Sequence, residues 1–109
     1  MMRIGLALAG LLCPLAASAA PEFATTRYVC DRGVSVPATY VTAADGGLVI
    51  IHVDGAQITL VSEVAASGAR YGWPSDGANY VWWTRGDDAT LYWKEAGEET
   101  PLLTCTTAQ

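Results

Sequence analysis

The chain has 109 residues, six Lys and Arg against eleven Asp and Glu, and 51% apolar residues, but fifteen of the apolar residues fall in the first twenty, MMRIGLALAGLLCPLAASAA. A charged start at Arg3, an apolar run from Ile4 to Ala16 and the small-residue site Ala17-Ser18-Ala19 read as a cleaved secretory signal over residues 1–20, the run being too short for a membrane span. What remains, residues 21–109, is an 89-residue domain, about 46% apolar with net charge −6; it has room for one modest core, and its acidity disfavours nucleic-acid phosphates and anionic lipid, both of which recruit Lys and Arg.

Residues 21–25 read as a short unstructured lead. From there the chain is a series of short runs rich in Val, Ile, Thr, Tyr and Trp, broken by Gly and Asp, with no sustained helical spacing of apolar residues. Strands are expected at 26–30, 34–41, 47–53, 56–61, 64–66 or 69–73, 79–84, 89–94 and 101–106. Pro37 confines the second strand to an edge, a bulge or a position that needs no ladder donor. Asp54-Gly55 is a hairpin turn signal. Arg85-Gly86-Asp87-Asp88 reads as a four-residue polar loop between two arms that carry five aromatics, and Ala96 to Pro101 as a solvated acidic loop. About eight short strands at this spacing predict an all-β fold, a small eight-stranded antiparallel β-barrel whose interior is filled by side chains.

Cys13 lies in the signal, which leaves Cys30 and Cys105 as one pair in an oxidising compartment, read as a disulfide tying the start of the domain to its end. A metal site would need more ligands than two cysteines and the lone His52, so neither a metal nor another cofactor is expected. Bulky Leu12 stands where a lipoprotein signal carries a small residue before its cysteine. That favours a soluble periplasmic protein over one anchored in the membrane through Cys13.

Catalytic patterns are missing. His52 has no nucleophile elbow or oxyanion motif beside it, most carboxylates stand in turn signals, and no glycine run matches a phosphate loop, so the chain is not expected to be an enzyme. What interrupts the β pattern is Ser67-Gly68-Ala69-Arg70-Tyr71, followed by Tyr80-Val81-Trp82-Trp83-Thr84-Arg85-Gly86-Asp87.

These two stretches resemble the S-G-x-x-Y and Y-x-x-x-T-[KR]-G signatures of bacterial periplasmic inhibitors of C-type lysozyme, the MliC/PliC type. Tyr28-x-Cys30, Val34-x-Val36, Thr84 to Leu91 and Leu102-Leu103-x-Cys105 extend the resemblance over the domain. It implies a barrel that plugs the lysozyme cleft with two loops and blocks the catalytic carboxylates, protecting peptidoglycan. Carried over to this chain, the serine that bonds those carboxylates is Ser67, the paired cation is Arg85, and Gly68 permits close approach. Tyr71, Tyr80 and Thr84 brace the loops. The partner so implied is a basic C-type lysozyme, and the family also includes homodimers. Two features depart from the pattern: Arg85 stands where many members have Lys, and the loop Gly72 to Ala78 is long and carries Trp73, an interface anchor or a barrel lid. The rival readings are a lipocalin-like carrier of a small ligand in the barrel mouth and a structural envelope protein.

Overall fold

The computed structural model describes residues 21–108. The expected signal segment, with Cys13, lies outside the described residues. Eight strands follow one another: β1 (Glu22–Cys30), β2 (Ser35–Thr42), β3 (Leu48–Val53), β4 (Ala56–Glu63), β5 (Ala69–Gly72), β6 (Asn79–Arg85), β7 (Asp88–Glu95) and β8 (Glu98–Thr107), with a 3-10 turn at Asp31–Gly33. Each pairs antiparallel with the next, and β8 returns to β1, so the sheet closes into a barrel. Closure sets Cys30 opposite Cys105, and the two are joined by a disulfide across 75 residues of sequence.

Alternation along the strands builds the core. In β3 the near-continuous apolar run resolves into buried Val49, Ile51 and Val53, with His52 exposed between them. Val36, Ala38, Leu60, Trp82, Leu91 and Leu103 complete the inward face. The middle of the barrel is crossed by aromatics that satisfy one another's polar atoms: the Trp82 indole N–H donates to the Tyr40 hydroxyl at 2.9 Å, and the Tyr40 and Tyr28 hydroxyls are hydrogen-bonded at 2.7 Å. Tyr71 packs against Tyr40 with ring centroids 5.8 Å apart. Burial pushes the Tyr40 hydroxyl well above the ordinary phenol range, so it stays a neutral hydrogen-bonding group. A cavity of about 420 Å³ remains at one barrel mouth, lined by Val34, Val53, Tyr80, Leu91 and Leu103 with Arg32 and Asp54 at its rim.

Three expectations from the sequence are corrected. Residues 22–25 are strand and not an unstructured lead: Glu22 to Thr25 lie opposite Thr42 to Thr39, and the Thr25 and Thr39 hydroxyls meet at 2.9 Å, a cross-strand pair that holds an otherwise exposed segment. The acidic loop at 96–101 contracts to the two-residue turn Ala96-Gly97, both at positive φ (54° and 81°), because Glu98 to Pro101 pair with β7. Pro101 is tolerated there because the register slips between Leu91 and Tyr92, placing Leu102 as the extra residue. The four-residue loop at 85–88 is likewise a two-residue turn, Gly86-Asp87, since Arg85 pairs with Asp88 and Gly86 supplies the positive φ of 60°. Of the two alternatives for the fifth strand, the chain takes 69–72. Pro37 lies just outside the β2–β3 ladder, which begins at Ala38 and Ile51.

Because the strands run alternately up and down, the β2–β3, β4–β5 and β6–β7 connections share one end of the barrel. Ser67-Gly68 and Gly86-Asp87 are therefore neighbours, and the β5–β6 loop with Trp73 is at the other end.

Candidate functional site: two braced loops at one end of the barrel

The site is assembled by the short β5–β6 pairing. Ala69 lies opposite Thr84 and Arg70 opposite Trp83, which lays Ser67-Gly68, just before β5, along the end of β6. Contact is so close that only glycine fits at 68. Its φ is +67°, and a Cβ there would stand 2.0 Å from the Thr84 carbonyl oxygen and 2.9 Å from Arg85 Cγ. The Thr84 hydroxyl donates to the Ala69 carbonyl at 3.4 Å, and the Trp83 indole N–H donates to the Ser67 carbonyl at 2.9 Å.

Trp82 points into the core, so its neighbour Trp83 must point outward. There it meets two guanidinium groups, Arg85 with Cζ 4.0 Å from the ring centroid and Arg70 at 5.0 Å. These two cations differ in state. Arg70 is mostly buried; its Nε donates to Glu63 Oε1 at 2.6 Å and its Nη1 to Glu99 Oε1 at 3.0 Å, with Nη2 on Glu99 Oε2 as well. The fork is filled, and the Arg70 hydrogen bond holds the Glu99 carboxyl below its ordinary range. Arg85 is exposed, and no carboxylate of the described residues lies within ion-pair distance of it, even though Asp88 is its cross-strand partner. The Ser67 side chain is exposed, and among the described residues its loop is held through the backbone carbonyl and not the hydroxyl. A shallow cavity of about 310 Å³ runs beside Arg85 over Trp83, Tyr92, Thr90 and Thr104.

Of the residues singled out in the sequence, Ser67, Gly68, Thr84 and Arg85 are brought together. Tyr71 faces inward on Tyr40, and Tyr80 stands at the far end of β6 with its ring 4.9 Å from Trp93. Trp73, 47% exposed, is on the β5–β6 loop, so a surface centred on Arg85 would have to extend the length of β5 to reach it. Trp83 and Arg70 are the members that sequence reasoning passed over. Their signal was present: two consecutive tryptophans in a strand face opposite sides, and Arg70 takes the outward position beside inward Tyr71. Among the described residues no group of three or more His, Cys, Asp or Glu is arranged to hold a metal.

A disulfide-tied barrel crossed in its middle by aromatics, with an exposed serine and an unneutralised cation on braced loops at one end, defines a class, the small closed antiparallel β-barrel. Comparison narrows the class. The family model described as "Membrane-bound lysozyme-inhibitor of c-type lysozyme" (MliC) matches residues 28–100, and the chain belongs to that family. It is 38% identical over 71 residues to a membrane-bound lysozyme inhibitor of C-type lysozyme from Cupriavidus necator, covering 65% of this chain and 54% of the relative. To the protein so described from Pseudomonas aeruginosa it is 35% identical over 81 residues, covering 72% and 60%. The match thus spans little more than half the length of these relatives. The barrel is also similar to the crystal structure of P. aeruginosa MliC in complex with hen egg white lysozyme, with TM-score 0.65, 27% identity, 95% of this chain and all of that chain covered. The relatives are named membrane-bound, whereas Leu12 led to the expectation of a protein without an anchor; Cys13, where a lipid would be attached, lies outside the described residues.

Proposed function

We propose that this chain is an exported, non-enzymatic inhibitor of a basic C-type lysozyme, and that Ser67, Gly68 and Arg85 occupy the enzyme's cleft. The observation that carries the reading is the exposed Arg85 guanidinium, stacked on Trp83 and set beside the Ser67-Gly68 loop, in a chain similar to a barrel solved in complex with lysozyme. The chemistry fits the target. A C-type lysozyme cleft contains an acid of raised pKa in an apolar pocket and a second carboxylate that stays ionised. A hydroxyl exchanges hydrogen bonds with either form, and a planar guanidinium can hold the ionised carboxylate with two parallel bonds. Both contacts would be desolvated once the loops fill the cleft, and glycan would be shut out from both carboxylates. The aromatics that cross the middle of the barrel leave the small-ligand carrier only the cavity at the mouth opposite Arg85.

The test is a turbidity assay of lysozyme on bacterial cell walls with the mature protein, run beside Ser67→Ala and Arg85→Ala. Inhibition by the parent that falls in both variants is the expected result. If neither variant loses inhibition, the site assignment fails; if the parent inhibits none of several C-type lysozymes, the function fails. Export is checked separately by the intact mass of the protein recovered from the envelope. A chain beginning near residue 21 is expected, whereas one beginning at Cys13 with the mass of attached acyl groups would replace the soluble protein by an anchored one.

A further inference from the structure

One indole touches both loops. Trp83 donates its N–H to the Ser67 carbonyl of the β4–β5 loop at 2.9 Å, and its face lies 4.0 Å from the guanidinium of Arg85 at the start of the β6–β7 turn. The indole is itself held from a third direction. Arg70, 5.0 Å from the ring centroid, is fixed by Glu63 from β4 and Glu99 from β8, so its guanidinium cannot swing away from Trp83. This outward pillar runs from Glu63 and Glu99 through Arg70 and Trp83 to Arg85 and Ser67.

An exposed arginine on a turn would sample many rotamers, and ordering it on binding would cost a large part of what its contact gains. Stacked on a fixed ring, it has lost most of that freedom before a partner arrives. We propose that Trp83 is the positioning residue of the two-loop site: it sets the spacing of the Ser67 loop and the Arg85 guanidinium in the free protein. In lysozyme binding it acts through those two residues. The second statement rests on the reading of Ser67 and Arg85 as lysozyme contacts, and the first does not. Trp83 is not a core residue, being only half-buried on the outer face while Trp82 fills the interior.

Two substitutions separate its contributions. Trp83→Phe keeps an aromatic face for Arg85 and removes the N–H; Trp83→Leu removes both. In the free protein, the Arg85 side-chain proton resonances should be shifted upfield by the ring in the parent and in Trp83→Phe, and should return to ordinary positions in Trp83→Leu. Affinity for hen egg white lysozyme, measured by titration calorimetry, should fall modestly in Trp83→Phe and by about tenfold or more in Trp83→Leu. The Trp83→Leu loss should shrink in an Arg85→Ala background, because the arginine it positions is gone. Ordinary Arg85 resonances in the parent would overturn the positioning role, as would an unchanged affinity of Trp83→Leu or a fully additive double variant. Trp83→Phe serves alone if the leucine variant does not fold. A parent that fails to bind lysozyme overturns the lysozyme part, while the resonances still decide whether Trp83 holds Arg85.

Discussion

At the scale of single residues, the site depends on atoms that a residue type alone does not reveal. Gly68 was legible from its motif, but its reason is packing within the chain: the backbone of β6 occupies the space a side chain would need. Gly68→Ala must push the Ser67 loop off Thr84, at a cost on the order of 1–3 kcal/mol for the left-handed φ and the clash. It should lower inhibition in the turbidity assay together with the thermal midpoint. Gly77→Ala is the control, since its Cβ would meet nothing closer than Ser75 Oγ at 3.9 Å and its φ is ordinary; equal losses in both variants would refute the local explanation. Arg70 and Trp83 were harder to read, because their importance comes from side-chain contacts between elements, Arg70 with Glu63 on β4 and Glu99 on β8, and Trp83 with the Ser67 carbonyl and two guanidinium groups. Glu99 tests that network. Arg70 holds its carboxyl below the ordinary value, so this contribution is fully present above the unfolded carboxylate range and is lost as pH falls through the folded value. Denaturation midpoints measured from about pH 6 down to about pH 3 should fall, and Glu99→Gln should flatten part of that slope while costing on the order of 1–2 kcal/mol at neutral pH. An unaltered slope in the variant would mean that other carboxylates carry the acid sensitivity.

At the scale of elements, strand identity was readable from alternation and residue type, and strand ends were not. Neither the lead at 22–25 nor the loop at 96–101 shows a strand's alternation, yet Glu22 to Thr25 and Glu98 to Pro101 become strand, because β2 and β7 extend far enough to pair with them. Once Glu98 to Pro101 pair with β7, only two residues are left to turn, and the turn needs positive φ at both. Gly97 adopts it freely; Ala96, at φ 54°, does so against its Cβ. Asn is better suited to the first position of such a turn. Ala96→Asn should therefore stabilise the fold by about 1 kcal/mol, read as a rise of about 4–8 °C in a calorimetric scan. A lower midpoint would show that the turn is held in some other conformation. The variant should inhibit like the parent, since this turn lies at the end of the barrel opposite Arg85.

At the scale of the whole molecule, two features visible in the sequence act on every element. The disulfide closes a loop of 75 residues, which in the chain-entropy picture disfavours the unfolded state by about 4.5 kcal/mol, so reduction should lower the denaturation midpoint far more than any surface substitution. Net charge acts on the encounter with a partner. The domain is acidic, a C-type lysozyme of the kind proposed is basic, and their attraction should speed association in a way that salt screens, the Debye length falling from about 10 Å at 0.1 M to about 3 Å at 1 M. In the proposed complex Arg85 would work against the global field while serving the local contact. Removing it makes the domain one unit more acidic, so in stopped-flow and dissociation measurements Arg85→Ala should associate with lysozyme at least as fast as the parent and dissociate faster. Raising salt should slow association of both proteins and leave the ratio of their dissociation rates nearly unchanged, because a desolvated ion pair in a cleft is screened far less than an encounter through solvent. Slower association of Arg85→Ala at low salt would mean that the cation itself guides the approach, and the acidic surface would then be a solubility feature rather than part of recognition.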